Sequence, residues 1–137
     1  MEIRPSIGKI EFIKGSASLK TASWVVPLEK GSPVYEGGIL ITHKGSTVKI
    51  RFHDNSLLRQ SENSRLVIDR YVYDPDNGKK SNRLFGLPRG TFQFTSGSID
   101  FLEPENLNIK TPSTLMGVRG TGFSVCIGPK GEEVRLL

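Results

Sequence analysis

The sequence predicts an all-β domain built from short strands. Apolar residues alternate with polar ones in several stretches, 15 glycines and 8 prolines supply frequent turns in 137 residues, and no long stretch has a helical pattern. Alternation with a period of two is typical of a strand that buries one face, whereas glycine and proline interrupt regular structure. A chain of this length can bury a core without metals or disulfides. We therefore expect residues 1–137 to form one domain, either sandwich-like or a solenoid-like stack of short strands.

Three stretches alternate strictly between apolar and polar residues, and we predict a strand at each: 47–53, 91–95 and 122–127. In the first of them, Lys49 and Arg51 would lie on the outer face of the strand, opposite three apolar residues. Shorter stretches predict further strands at 7–13, 16–21, 38–43, 57–60, 66–73, 98–102 and 107–110. Turn-forming residues separate these stretches, which favours short strands over long ones.

Two connections carry specific structural predictions. Lys44-Gly45 lies between two strand-like stretches and predicts a tight hairpin that pairs Ile41 with Val48. Thr111-Pro112 predicts the start of a single helical turn, because proline is tolerated at the first helical position.

Residues 74–87 predict the one long mobile loop. The stretch is polar and contains proline, asparagine, glycine and two adjacent lysines. A loop of this kind is also the expected place for contact with a partner. The candidate contact residues are Lys79, Lys80 and Arg83.

The charge and hydropathy of the chain limit the class of partner. The net charge of +5 suits acidic partners, but the 19 lysines and arginines are spread along the sequence. Only one aromatic pair, Tyr71 and Tyr73, shares a predicted strand face, so we expect no nucleic-acid binding. The apolar runs are much shorter than the roughly twenty residues of a membrane-spanning helix, so we expect no membrane segment. The N-terminus lacks a secretory apolar region, so any export signal has been removed or never existed.

Few side chains suit catalysis. Histidine and cysteine are the residue types best suited to acid–base or nucleophilic work at neutral pH, and the sequence contains only His43, His53 and Cys126. The predicted hairpin separates the two histidines by about 20 Å, at some 3.3 Å per residue, which argues against a shared metal or acid–base pair. Cys126 has no partner for an intrachain disulfide and is expected to be an inert filler. We therefore expect no catalytic residue, no metal and no cofactor, and we expect Trp24 in the core.

The motifs, taken in order, resemble the FecR-type domain, which is named after the iron-dicitrate sensor regulators of bacterial cell-surface signalling. The resemblance runs from about Ile7 to Val125 and is strongest in IKTPSTLMGVRGTGF at 109–123, where a TP pair precedes GVRGT. Two departures are visible. Gly37-Gly38 stands where the family usually has Gly-Asp, and Asp54-Asn55-Ser56 stands where it usually has Asp-Gly-Ser.

The resemblance implies a structural role for this signature. Proline fixes one backbone angle, glycine permits tight turns, and an arginine can bond several carbonyls or a carboxylate. The signature residues are Thr111, Pro112, Gly117, Val118, Arg119, Gly120 and Thr121.

The resemblance also implies a non-enzymatic extracytoplasmic domain, periplasmic in bacteria, that binds a protein partner and relays a signal. An exposed strand edge would serve such a contact. The chain would then be either an excised piece or a stand-alone exported relative. The alternative is a structural module that binds cell-envelope glycan in an aromatic groove, for which the candidates are Trp24, Tyr35, Tyr71 and Tyr73. An enzyme would instead need a pocket that joins a histidine to an acid.

Overall fold

Most of the alternating stretches of the sequence form β-strands in the computed structural model, which describes residues 5–72, 82–95, 107–117 and 122–136. These residues contain thirteen strands and no helix, so the predicted all-β class is confirmed. No helix in the described part of the chain has the length and apolar character needed to cross a membrane.

The described strands are numbered in their order along the chain. In order they are β1 (Gly8–Lys14), β2 (Ala17–Lys20), β3 (Val25–Pro27), β4 (Pro33–Val34), β5 (Ile39–Thr42), β6 (Thr47–Phe52), β7 (Leu57–Gln60), β8 (Arg65–Val72), β9 (Asn82–Thr95), β10 (Leu107–Lys110), β11 (Leu115–Gly117), β12 (Gly122–Gly128) and β13 (Gly131–Leu136).

Two layers of strands share the long strand β9. The first sheet has the order β4-β1-β6-β7-β9-β12-β13, and the second has the order β3-β2-β5-β8-β9-β10-β11. Residues 82–89 of β9 pair with β8 and residues 90–95 pair with β7 and β12, so one strand belongs to both layers. All pairs are antiparallel except β9 with β10, which is parallel.

Glycine allows β9 to turn from one layer into the other. Gly90 has a φ of 116°, and a Cβ atom built on it would lie 2.5 Å from the Cα of Ser64. No other residue type fits this backbone angle and this close approach together. The bend is a corner of the kind by which a strand changes sheets in packed β structures.

The predicted hairpin at Lys44-Gly45 is wrong. The turn exists, with Gly45 at a φ of 75°, but β5 pairs with β2 and β8 whereas β6 pairs with β1 and β7. The chain therefore crosses from the second sheet to the first at this turn. Two alternating strands joined by a short turn bury their apolar faces equally well in a hairpin or in a crossover, so the local pattern does not separate the two.

Stacked aromatic rings join the two layers at the centre of the core. Phe52 of the first sheet lies 5.2 Å from the Tyr71 ring and 5.4 Å from the Phe85 ring, both of the second sheet. Phe85 in turn contacts Phe94 at 6.3 Å, and Phe94 stacks on Phe123 at 5.3 Å. Rings of this size contribute much of the buried apolar area of a small core. The same core contains the inward-facing aliphatic residues of both sheets.

Two further sequence predictions need correction. The predicted loop 74–87 is wrong for residues 82–87, which form the first part of β9 with Phe85 and Leu87 buried; residues 73–81 lie outside the described residues. The predicted helical turn at Thr111-Pro112 is a tight turn between β10 and β11, in which the Thr111 amide donates to the Thr114 carbonyl at 2.8 Å. The strand predicted at 98–102 also lies outside the described residues.

Candidate functional site

A buried polar cluster is centred on Asp54, at the turn after β6. Asn55 has a left-handed φ of 70°, which lets the amide and hydroxyl of Ser56 donate to Asp54 Oδ1 at 3.1 and 2.6 Å. The Tyr71 hydroxyl donates to the same oxygen at 2.8 Å, and Arg83 Nη1 lies 3.3 Å from Asp54 Oδ2. The side chains of Asp54 and Arg83 are both 0% exposed.

The electrostatics of this cluster are those of a buried structural centre. Burial, and then the Asp54 carboxylate, raise the pKa of the Tyr71 phenol far above its usual value, so the phenol stays a proton donor. The Arg83 guanidinium also lies over the Phe94 ring, 5.4 Å from its centre. A substrate cannot reach these groups from solvent, so the arrangement orients β8 and β9 around the turn after β6.

The cluster overturns one predicted contact. Arg83 was expected on a surface loop, but it lies in β9 with its side chain fully buried against Asp54, so it offers no surface to a partner. Because a charged arginine occupies an inward position of the strand, the alternation of apolar and polar residues is interrupted there, and the sequence predicts a loop. Lys79 and Lys80 lie outside the described residues, and their contact with a partner stays a prediction.

The first part of the family-like signature is a turn tied to the last strand. Thr111 Oγ1 and Ser113 Oγ each donate to Glu132 Oε2 at 2.7 Å, and the Ser113 amide donates to Glu132 Oε1 at 3.2 Å. These hydrogen bonds, the one from Thr111 first, hold the pKa of the Glu132 carboxyl below its usual value. The contacts connect the β10–β11 turn of the second sheet to β13 of the first.

Other signature residues are placed differently from expectation or lie outside the described residues. Pro112 is exposed in the turn. Gly117 was expected to permit a tight turn, but it lies in β11, and a Cβ on it would meet only Asn108 Oδ1, at an ordinary 3.5 Å. The remaining signature positions, outside the described residues, are Val118, Arg119, Gly120 and Thr121.

Three of the large apolar side chains that are exposed in the described structure, Trp24, Val25 and Val26, are consecutive at the edge strand β3. Trp24 is 43% exposed, and the neighbouring Val25 is 61% exposed. The Trp24 ring meets the Tyr35 ring edge to face, with centres 6.4 Å apart. The expectation that Trp24 lies in the core is therefore wrong. The signal for an edge strand was present in the sequence, where two adjacent valines directly precede Pro27, a residue that sheets accept at their edges.

The backbone of β3 also points hydrogen-bonding groups away from β2, its described neighbour. The Thr21 amide donates to the Trp24 carbonyl at 2.9 Å, and the Leu28 amide donates to the Ala17 carbonyl at 2.8 Å. Hydrogen-bonded and non-bonded pairs alternate along an antiparallel ladder, so the N–H and C=O of Val25 and the C=O of Pro27 point away from β2. Among the described strands β3 pairs with β2 alone, and these groups form an open edge.

The three side chains that were considered for catalysis, and not expected to perform it, lie at the surface. His43, His53 and Cys126 are all exposed. His53 borders a shallow hollow of about 420 Å³ together with Lys9 and Arg51, and no acid lines that hollow. A larger groove of about 950 Å³ runs beside the β10–β11 turn and is lined by neither histidine nor Trp24. The described residues contain no group of three side chains that could hold a metal ion.

A family comparison fits this fold and signature. The model of the family described as FecR protein matches residues 39–137, which include the signature turn and β5 to β13. The chain belongs to the FecR family. No curated protein and no solved structure matches the chain significantly. The FecR family is one of signalling regulators, and this chain carries its domain.

Proposed function

We propose that this FecR chain is a non-enzymatic binding module that relays a signal through protein–protein contact, outside the cytoplasm and in the periplasm of its bacterium. The observation that carries the proposal is the open edge of β3. It combines unused backbone groups with the exposed side chains of Trp24 and Val25, on a member of a signalling family. An extended segment of a partner can add to such an edge as a further strand.

We propose in addition that residues 1–137 form one FecR-type domain, although the family match begins at residue 39. Strand β1 pairs with β6 along most of its length, and β2 pairs with β5. The segment before residue 39 therefore completes both sheets of the matched region. The hydrogen bonds from Thr111 and Ser113 to Glu132 support a structural role for the signature turn.

A cell-envelope glycan is the alternative ligand. The edge-to-face pair of Trp24 and Tyr35 at the surface favours it, because exposed aromatic rings can pack on sugar rings. Of the other two aromatic candidates, Tyr71 is buried and therefore absent from this surface, and Tyr73 lies outside the described residues. The two ligands predict different responses to substitution at Val25 and at Trp24.

The test removes the open backbone donor without disturbing the pairing of β3 with β2. In Val25→Pro the lost N–H is the one that points away from β2, so the strand can keep its existing hydrogen bonds. The purified variant and the wild type are used to capture partners from envelope extract of the native bacterium, with quantification by mass spectrometry. We expect at least one specific partner of the wild type to fall roughly tenfold, because a backbone hydrogen bond and the close approach of the added strand are both lost.

Val25→Thr is the matched control, because it keeps the N–H and a side chain that favours strands. We expect it to retain the partner. Equal capture by the wild type and Val25→Pro would refute the β3 edge as the contact. Co-sedimentation with purified peptidoglycan that Trp24→Ala abolishes, and that Val25→Pro leaves intact, would establish the glycan alternative instead.

A further inference from the structure

Basic residues that are scattered along the sequence gather on the outer face of the first sheet. The register aligns Lys9 with Arg51, and it places Lys49 opposite Arg59 in the neighbouring strand. Lys14 lies opposite Thr47 at the end of β1. We call this surface the cationic face, and its basic residues are Lys9, Lys14, Lys49, Arg51, Arg59 and Arg135.

Basic residues outnumber acidic ones on the cationic face. In the part of the chain that the structure describes, two acids share it, and each is bound to an arginine: Glu11 to Arg51 at 3.1 Å and Glu133 to Arg135 at 2.6 Å. Six basic and two acidic described residues give this face a net charge of +4. Among the described residues, none forms an ion pair with Lys9, Lys14, Lys49 or Arg59.

This arrangement of charge opposes the stability of the sheet. Like charges that lie directly opposite on neighbouring strands repel, and the face contains two such pairs, Lys9 with Arg51 and Lys49 with Arg59. Glu11 neutralises part of the first pair, but no described acid lies between Lys49 and Arg59. Charges that weaken the fold in this way point to a function in binding.

A β-bulge adds an apolar group to the same face. The register of β1 against β6 shifts between Ile10 and Phe12, which turns the Phe12 side chain outward. The ring is 43% exposed, and Lys49 Nζ lies 5.3 Å from its centre. Without the extra residue, the alternation of the strand would direct this ring into the core.

We propose that the cationic face docks on the surface of a bilayer that contains anionic lipid. Neighbouring strands lie about 4.8 Å apart and alternate residues about 6.8 Å apart, so the sheet presents the cationic side chains from a regular two-dimensional array of backbone positions. Such an array matches a plane of lipid phosphates, and Phe12 can enter the boundary between headgroups and acyl chains. This contact is independent of the β3 edge, which belongs to the other sheet.

The aromatic content favours a lipid surface over a single-stranded nucleic acid. Surfaces that bind single strands carry several aromatic rings along a groove, and successive bases stack on those rings. Among its described residues the cationic face has one exposed aromatic ring, that of Phe12, and the Lys49 ammonium group lies over that ring. Its central positions carry Gln93 and Ser124 instead of rings.

The experiment measures co-sedimentation with vesicles of phosphatidylcholine, with or without about one-third phosphatidylglycerol, at low and high salt. The test variant is Lys49→Gln/Arg59→Gln. The control variant, Lys20→Gln/Lys110→Gln, removes the same charge from exposed positions of the second sheet. Each cation near an anionic surface strengthens binding about fivefold, so we expect the test variant to bind about 25-fold more weakly and the control to stay close to the wild type.

Two further readouts separate docking from a structural role. Arg59→Gln relieves the repulsion between residues 49 and 59 and leaves the contact of Lys49 with the Phe12 ring in place. This single variant should therefore melt at a higher temperature than the wild type, by about 2 °C, while it binds more weakly. Phe12→Ser should weaken binding to anionic vesicles about tenfold. Absence of wild-type binding to anionic vesicles at low salt, or an equal loss in the control variant, would overturn the proposal. Tighter binding of a short single-stranded oligonucleotide than of vesicles, lost in the same test variant, would also overturn it.

Discussion

The buried ion pair between Asp54 and Arg83 provides the sharpest test of the fold. In Asp54→Asn the side chain keeps its shape but loses its charge. The Arg83 guanidinium therefore loses its ion pair with residue 54, in a site that is 0% exposed. The new amide must also choose between partners. If its NH2 group faces Arg83, donor meets donor, and if the NH2 group faces Tyr71 and Ser56, three existing hydrogen bonds lose their acceptor.

The magnitude follows from burial. Removing one partner of a buried ion pair destabilises a protein by 3–5 kcal/mol, because the remaining charge is left in a medium of low dielectric constant. Since the amide preserves part of the hydrogen bonding, we expect Asp54→Asn to lower the free energy of unfolding by about 3 kcal/mol. That is a large share of the roughly 5–15 kcal/mol that stabilises a typical domain.

The assay is equilibrium unfolding in urea, followed by circular dichroism. The matched control is Glu11→Gln, which breaks the ion pair with Arg51, where the two side chains are 41% and 33% exposed. Solvent screens that pair, so we expect the control to cost less than about 1 kcal/mol. If Asp54→Asn and Glu11→Gln cost the same, the buried cluster does not hold the two sheets as argued.

A double variant separates the charge effect from general damage to the core. Arg83→Met removes the cation and leaves an unbranched apolar side chain in its place. When it is combined with Asp54→Asn, neither buried charge remains. We expect the double variant to be more stable than the sum of the two single costs predicts, and simple additivity would contradict a direct interaction between the charges.

Two other expectations concern the corner of β9 and the phenol of the buried cluster. Gly90→Ala should destabilise the protein by about 3 kcal/mol, because the φ of residue 90 is 116° and the new methyl group would collide with Ser64. The control Gly31→Ala, at a φ of 90° with no atom within 4 Å, should cost about 1 kcal/mol. Equal costs in urea unfolding would show that the close approach to Ser64 is unimportant. Because the pKa of the Tyr71 phenol is raised on folding, the protonated phenol stabilises the fold at any pH below its usual pKa of 10.0, and this stabilisation is lost as the pH rises above that value. The free energy of unfolding should therefore fall from about pH 10 upward, and it should fall less steeply in Tyr71→Phe. An identical alkaline decline in wild type and Tyr71→Phe would contradict that assignment.

Local alternation was sufficient to predict many strands. The predicted strands at 57–60 and 107–110 agree with β7 and β10, and the outward position of Lys49 and Arg51 in β6 is confirmed. The FecR resemblance was also visible in the sequence, because its signature is a contiguous string. These features depend on residues that are close together along the chain.

The errors arose where a residue's surroundings come from distant parts of the chain. Arg83 suggests a loop until Asp54, 29 residues away, is placed beside it, and Trp24 suggests a core residue until β3 is known to be an edge strand. The turn at Gly45 has the residues of a hairpin, yet the partners of β5 and β6 are found elsewhere. Register and sheet order are set by long-range pairing, which periodicity does not encode.

The sequence by itself determined which residues of most strands face inward, because a period of two follows from the geometry of an extended chain. It also determined family membership through the signature, and the outward direction of the two cations of β6. Only the tertiary structure decided that strands β1, β6, β7 and β13 bring six cations onto one face, that β3 lies open at an edge, and that Asp54, Tyr71 and Arg83 share one buried site. Each of these depends on which strands are neighbours, and a strand's own residues do not specify its neighbour.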